Sequence, residues 1–320
     1  MGFRKTIRLW REHKEAVAIA QKMQSEGQVH LYNFWGIKPD AFQLSRYVQE
    51  SGLLGNTKKT IGFWSVFGDV RLIDDVSDDV NVFFSGENVH IDRHKRYADY
   101  MLTNPKIKMA MGFDYLVHEK YLRYPLWLTY MFGDCYTYED VCKRCEELRY
   151  PRIKEKKKWI SAVSSWDPSG IRSQIAEVVG ELKAIDYAGK WRHNDDTLKE
   201  DFADDKIAYL KQFVFNICPE NSNSCGYVTE KLFEAIAAGC VPIYWGSNND
   251  PEPGIINSQA VLFYEEKDNG EDLKKQVERL ISDERFRNDF MALPRLLSGA
   301  EDKIWEMLHG VYSRLKLIIS

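Results

Sequence analysis

Residues 213–247, FVFNICPENSNSCGYVTEKLFEAIAAGCVPIYWGS, hold the side chains best suited to gripping a diphosphate. They read as strand, polar loop, helix, glycine stop, strand and glycine turn. The loop PENSNSCGY is rich in groups that hydrogen-bond phosphate and ribose, and Glu230 and Lys231 fall in the first turn of the helix that follows. A helix start offers unpaired N–H groups and the positive end of its dipole, which favours an anion. Lys231 adds a full positive charge, and Glu230 can accept hydrogen bonds from two ribose hydroxyls. Taken alone, the same residues read equally well as a Thr229-capped, solvated first turn. That reading leaves unexplained why so polar a loop is framed by two strongly apolar strands.

A second chemical candidate lies in the first half. NVFFSGEN at 81–88 is an apolar strand running into Gly86-Glu87-Asn88. An acid just past a strand end suits a general base, which takes a proton from an attacking hydroxyl. The plainer alternative has Glu87 capping the next helix.

The elements that must position these groups alternate along the chain. QVHLYNFW, TIGFW, NVFFSG, KMAMGF, KKWISAVSS, KAIDYAG, QFVFNICPE, CVPIYWG and AVLFY are short β-branched or aromatic runs. Helix-period segments such as RSQIAEVVGELK (172–183) and TEKLFEAIAA (229–238) stand between many of them. Such interleaving implies an α/β fold with parallel sheets covered on both faces. A basic, proline-containing stretch, RYPRIKEKKK at 149–158, reads as a linker. It divides the chain into an acceptor-type domain at 1–150 and a nucleotide-type domain at 151–300. A final helix, about 301–320, is placed to return to the first domain. Ligands of open parallel sheets sit beyond the carboxyl ends of the strands.

At 320 residues the chain has room for two ordinary domains, and 44% hydrophobic with 29% charged residues is a globular composition. The net charge of −4, without a basic domain, argues against a nucleic-acid partner. Residues 1–24 read as a charged amphipathic surface helix, and no apolar run reaches the ~20 residues that span a bilayer. Six cysteines are too few for a disulfide scaffold. The expected compartment is the cytoplasm, with peripheral association at a membrane left open.

The segment 213–247 resembles the donor signature of the α1,3/α1,4-fucosyltransferases, glycosyltransferase family 10, in its bacterial form. The signature appears as FNICPENS, GYVTEKLFEAIAAG and VPIYWG, with Pro219 where an aromatic often precedes the Glu-Asn pair. The resemblance covers roughly residues 30–265. It implies a GT-B-like fold of two Rossmann-like domains facing across a cleft, with GDP-fucose as substrate. It places Tyr227, Lys231 and Arg172 on the diphosphate, Glu230 on the ribose and Asn221 in the same pocket. Glu220 buttresses the loop, Ser164 and Ser165 lie near phosphate, and Asp186 and Gly189 shape a turn. A planar, permanently charged arginine suits a diphosphate leaving group. FFSGEN matches the family pattern whose glutamate is the catalytic base, which points to Glu87. On the acceptor side stand Asn88, Arg123, Tyr121, Tyr124 and Trp35, each of which either lines that site or packs the domain. The implied partners are the nucleotide sugar and an oligosaccharide acceptor, with fucose passing to an N-acetylglucosamine or glucose unit in α1,3 linkage. Neither the donor sugar nor the oligomeric state follows from the residues themselves.

Other features suggest less. The aspartates of IDDVSDDV (73–80) and the acids at 194–205 read as solvated surface rather than metal sites. Cys142 and Cys145 form a lone CxxC with only Cys135 nearby, short of a zinc set. No metal is required where Arg172, Lys231 and a helix dipole neutralise the leaving group, although stimulation by a divalent cation is left open.

Overall fold

A computed structural model describes residues 3–55, 57–151 and 156–320, so part of the expected linker lies outside the described residues. The chain forms two compact units, Met1–Thr129 with Glu306–Ser320, and Tyr130–Trp305. The helix Tyr138–Arg149 falls ahead of the expected boundary near 150 but packs within the second unit. The Arg149 carbonyl accepts the backbone N–H of Arg295, and its guanidinium pairs with Glu301, contacts that composition does not reveal. A capping box between Thr137 and Asp140 starts this helix.

The first unit is built on strands β1 (Val29–Tyr32), β2 (Ile61–Trp64), β3 (Val80–Phe84), β4 (Ile107–Gly112) and β5 (Tyr121–Arg123). They pair in parallel in the order β1-β2-β3-β4-β5. The first three are buried along their whole length, as unbroken apolar runs such as VFF require of strands covered on both faces. Strand β5 was not foreseen, because three residues with an arginine carry too little period to register. The last turns of the C-terminal helix Ala300–Ile319 complete this unit. There Tyr312 stacks on Tyr47 at 4.0 Å, and its hydroxyl accepts from the Gln43 amide at 2.8 Å.

The second unit carries β6 (Lys158–Ala162), β7 (Ile185–Tyr187), β8 (Phe213–Ile217), β9 (Val241–Tyr244) and β10 (Leu262–Phe263), all parallel, in the order β10-β9-β8-β6-β7. The core gathers Ile160, Phe215, Val241 and Ile243 from the strands with Ile175 and Val179 from the helix Ile171–Gly180. Each such side chain contributes roughly 1.5–3 kcal/mol on burial. In the register Ile160 faces Phe215 and Ala162 faces Ile217, so the carboxyl ends of β6 and β8 finish side by side.

Two stretches expected to be solvated are anchored instead. Asp78 is buried and accepts from His30 at 2.9 Å. Asp195 is buried between Tyr209 and Lys158, and hydrogen bonds from Thr197 and these partners overcome burial to hold its carboxyl at about 2.

Candidate active site

The order of the second sheet reverses between β6 and β8. The chain leaves β6 for β7 on one side, then returns to place β8, β9 and β10 on the other. Such a switch point leaves a crevice beyond the strand ends, where doubly wound sheets bind their ligands. The loops that leave β6 and β8 carry most of the residues expected to hold the donor.

Arg172 sits in the first turn of the helix after β6 and is 3% exposed. One guanidinium nitrogen donates to the Trp166 carbonyl at 3.2 Å, and the other to the Pro219 carbonyl and Asn221 Oδ1, both at 2.9 Å. The fork therefore ties the β6 loop to the β8 loop. Pro219 enters this lattice through its carbonyl, which accepts from Arg172. The Trp166 carbonyl also accepts from Ser164 Oγ at 2.8 Å, joining Ser164 to the same lattice. Burial pulls the guanidinium below its ordinary value, against the opposing pull of Glu220 and Asp167.

Glu220 lies fully buried one loop residue further on. Its carboxylate accepts from the Thr229 N–H at 2.8 Å, the Thr229 hydroxyl at 2.7 Å and Lys231 Nζ at 3.1 Å. Lys231 Nζ also donates to Thr229 Oγ1 at 2.7 Å and lies 3.8 Å from Glu230. Burial works against the ammonium, but Glu220 and Glu230 outweigh it and hold its proton more tightly than usual. Glu230 is held below the usual carboxylate range, with Lys231 and Lys206 outweighing burial. Thr229 occupies the N-cap position of the helix Glu230–Ala237 yet makes no side-chain cap bond, its hydroxyl being committed to Glu220 and Lys231. The first helical N–H groups are thus left without a side-chain cap, the condition in which a helix start receives an anion.

Tyr227 is 2% exposed and close enough to bear on the charge of Arg172. The loop after β8 and the starts of the helices Ile171–Gly180 and Glu230–Ala237 thereby collect Arg172, Asn221, Glu220, Tyr227, Glu230 and Lys231. Two cations share this space, each opposing the other, and Glu220 compensates them from below.

Two glycines explain themselves by close approach. A Cβ on Gly246, whose φ is +139°, would lie 2.7 Å from Glu220 Cγ. A Cβ on Gly189 would lie 2.0 Å from the Ser164 carbonyl oxygen, so the turn after β7 abuts the loop after β6. Asp186 pairs with Lys158 at 3.2 Å, on the support of the sheet rather than on that loop.

The first unit places Glu87 after β3, partly exposed, with Arg93 3.9 Å from its carboxylate. Ser85 Oγ accepts the Glu87 N–H at 3.2 Å and donates to its carbonyl, fixing the turn. Gly86 is required because a Cβ would meet Leu126 at 2.7 Å. Asn88 is buried, and its side-chain oxygen accepts the His90 N–H at 2.9 Å. Arg123 donates to the Phe113 carbonyl at 2.9 Å and stacks over Tyr115 at 4.2 Å. Tyr121 and Tyr124 are core residues. Trp35 lies between Phe67 and Phe84, within the aromatic group at the carboxyl end of β3.

Sequence reasoning missed Asp167, whose carboxylate accepts from the Arg172 and Ser173 N–H groups and so sets the arginine's helix start. An aspartate a few residues before an apolar helix is a capping signal that could have found it. It also missed the Arg93–His94 pair. Arg93 Nε donates to His94 Nε2 at 2.9 Å, and burial together with Arg93 and Arg96 lowers the imidazole to about 4. Among the described residues no group of three or more His, Cys, Asp or Glu is placed to hold a metal. No helix among them is long and apolar enough to cross a membrane. No disulfide joins the cysteines.

Two parallel α/β sheets, one with an anion-ready switch point, define the GT-B glycosyltransferase class. Residues 152–295 match the profile of glycosyltransferase family 10 (fucosyltransferase), C-terminal part, and residues 29–130 match the alpha-(1,3)-fucosyltransferase FucT N-terminal domain. The chain belongs to glycosyltransferase family 10. It is 26% identical over 211 residues to the alpha-(1,3)-fucosyltransferase FucT of Helicobacter pylori, covering 58% of this chain and 41% of that protein. It is 37% identical over 92 residues to a putative fucosyltransferase-like protein of Arabidopsis thaliana, covering 28% and 17%. The chain thus spans less than half the length of these curated relatives. A crystal structure of an alpha1,3-fucosyltransferase shares its fold with a TM-score of 0.60 at 18% identity, over 91% of this chain and 89% of that one. The same holds for an alpha1,3-fucosyltransferase with GDP-fucose, at a TM-score of 0.58.

Proposed function

We propose that this protein is an inverting fucosyltransferase that moves fucose from GDP-fucose to a hydroxyl of an N-acetylglucosamine or glucose unit, forming an α1,3 linkage. The observation that carries the reading is the interlock of Arg172, Glu220 and Lys231 at the β6/β8 switch point. Arg172 and Lys231 neutralise the charge that builds on the departing diphosphate, and the N-terminus of Glu230–Ala237 adds its dipole. Glu230 receives the ribose hydroxyls, while Asn221, Tyr227 and Ser164 complete the pocket around Arg172. Glu220 acts from beneath by setting the position of Lys231. The family match and the GDP-fucose named in a related structure support fucose as the sugar.

In this reaction the acceptor oxygen attacks the anomeric carbon, forming the new glycosidic bond. The bond to the diphosphate oxygen breaks on the opposite face, and its electron pair leaves with GDP. Glu87 takes the proton of the acceptor hydroxyl. We place the first unit, Met1–Thr129 with Glu306–Ser320, with the acceptor and the second, Tyr130–Trp305, with the donor, and no metal is needed for a leaving group already met by two cations.

A donor screen read by release of nucleoside diphosphate tests the sugar, with GDP-fucose expected to be turned over and other nucleotide sugars left intact. Glu87→Gln tests the base. Its kcat should fall about 10²–10⁴-fold with GDP affinity by calorimetry unchanged. Full activity of Glu87→Gln removes the base assignment, and turnover of a different donor removes the fucose assignment.

A further inference from the structure

Beside the loop that follows β2, the first unit encloses a cavity of about 710 Å³ unused by the chemistry above. Its volume lies in the range of small-molecule sites. The N-terminal helix Phe3–Gln24 forms one wall with Trp10 and Glu12, and the loop forms the other with Asp69 and Arg71, joined by Arg96 at the start of the helix Arg96–Thr103 that follows β3.

The walls are held in place. His13 reaches from the helix to Asp69 at 2.9 Å and to Asp75 at 2.7 Å. The Gly68 carbonyl accepts from Tyr97 at 2.6 Å and Arg96 at 3.0 Å, and Asn33 donates to the Asp69 carbonyl at 3.0 Å. Gly68 has no room for a side chain, since a Cβ would fall 1.9 Å from Asn33 Oδ1. The groove is therefore preformed, which lowers the ordering cost of binding.

The lining selects the ligand class. Trp10 is 56% exposed; Lys14 Nζ lies over one face of its ring, 4.1 Å from the centroid, so a guest would use the opposite face. Around it stand both signs of charge, Arg71 and Arg96 against Glu12 and Asp69. Such a mixture disfavours a polyanion, which the carboxylates would repel, and a purely apolar guest, which would strand charged groups. A pyranose fits it, because its C–H face lies on an indole while its hydroxyls both donate and accept around the edge. The position fits as well. Strands β2 and β3 are parallel neighbours, so the loop carrying Asp69 and Arg71 leaves the same sheet edge as the loop carrying Glu87. Phe67, next to Gly68, reaches both Trp35 and His94, continuing the aromatic surface between the two loops.

We propose that this groove is a subsite for an outlying neutral sugar of an extended oligosaccharide acceptor, with Trp10 as its platform; this rests on the fucosyl-transfer reading above. A longer acceptor then gains affinity from the groove without any change at the reacting hydroxyl. The test compares an N-acetyllactosamine disaccharide with its hexasaccharide on the full chain. Binding is followed through the indole N–H resonances without donor, and transfer through GDP release. The hexasaccharide should show a KM about fivefold lower than the disaccharide, as one stacking contact allows. Trp10→Ala and Trp10→Leu, the latter keeping apolar bulk, should abolish that ratio and leave the disaccharide kcat and KM unchanged. Equal KM for both lengths in the wild type, or a ratio that survives both variants, overturns the subsite. Length-dependent binding that perturbs Trp10 without any fucosyl transfer upholds the subsite and instead overturns the reaction it was argued from.

Discussion

The two units solve the problem of holding a charged side chain in opposite ways. In the second, the sheet reverses its strand order, Arg172 is buried and bonded to the Pro219 carbonyl and Asn221, and the half-buried Lys231 is bonded to the fully buried acid Glu220. In the first, the strands follow chain order without a reversal, and Glu87 stands partly exposed on a turn set by Ser85, with Arg93 3.9 Å away. A diphosphate carries its charge throughout the reaction, so its site needs fixed countercharge, whereas a base must exchange a proton and tolerate both states. On the proposed reading, rigidity belongs on the residues assigned to the donor and accessibility on the acid assigned as base.

That contrast can be broken most severely at Glu220. Glu220→Ala leaves Lys231 buried without its partner, and breaking a buried pair typically costs about 3–5 kcal/mol. A thermal melt should show the loss in the second unit, together with loss of GDP binding. A melt like that of the wild type would mean that the charges are not interlocked. Arg172→Lys is next. A lysine has a single nitrogen where the guanidinium uses one for the Trp166 carbonyl and another for the Pro219 carbonyl and Asn221, so kcat/KM for GDP-fucose should drop about 10²–10³-fold with little change in unfolding. An unchanged kcat/KM would remove Arg172 from the leaving-group site.

The smallest effect separates the units by pH. The His94 imidazole is lowered to about 4 by burial, Arg93 and Arg96, so the folded chain binds fewer protons than the unfolded one between its ordinary value near 6.5 and 4. Stability from this site is complete above about pH 6.5 and lost as pH falls toward 4, on the order of 1–3 kcal/mol. Asp195 in the second unit, lowered to about 2, gives stability present above about pH 4 that fades only below it. Hydrogen exchange from pH 7 to 4.5 should therefore loosen the first unit before the second, and His94→Gln should flatten that slope. Parallel loosening of both units would remove His94 as the cause.

Legibility followed the same division. The loop after β8 was readable because its packing imposes types and spacing together: Thr229 and Lys231 meet around the Glu220 carboxylate, and Gly246 must be bare for Glu220 to fit. Strands of the VNVFF and VPIY kind were readable because burial on both faces excludes polar residues. Arg123 and Asn88 were visible as candidates; Asn88 closes a local turn on the His90 N–H, while the Arg123 bond to the Phe113 carbonyl spans ten residues and is not encoded locally. Asp78 and Asp195 looked like surface acids because a charge cluster gives no sign of the distant His30 or Tyr209 that meets it.

By itself the sequence determined the alternation of apolar strands and helices, the parallel sheets, the family and the inventory of charged groups, all of which are written in period and local order. Only the tertiary structure decided that Arg172 reaches the β8 loop, that the hydroxyl of Thr229 serves Glu220 rather than its own helix, and that the N-terminal helix walls a groove beside β2. Each depends on residues from separate elements arriving within reach of one another, from nine positions apart for Thr229 and Glu220 to about fifty for Arg172 and Asn221, and the tertiary fold, not composition, sets those distances.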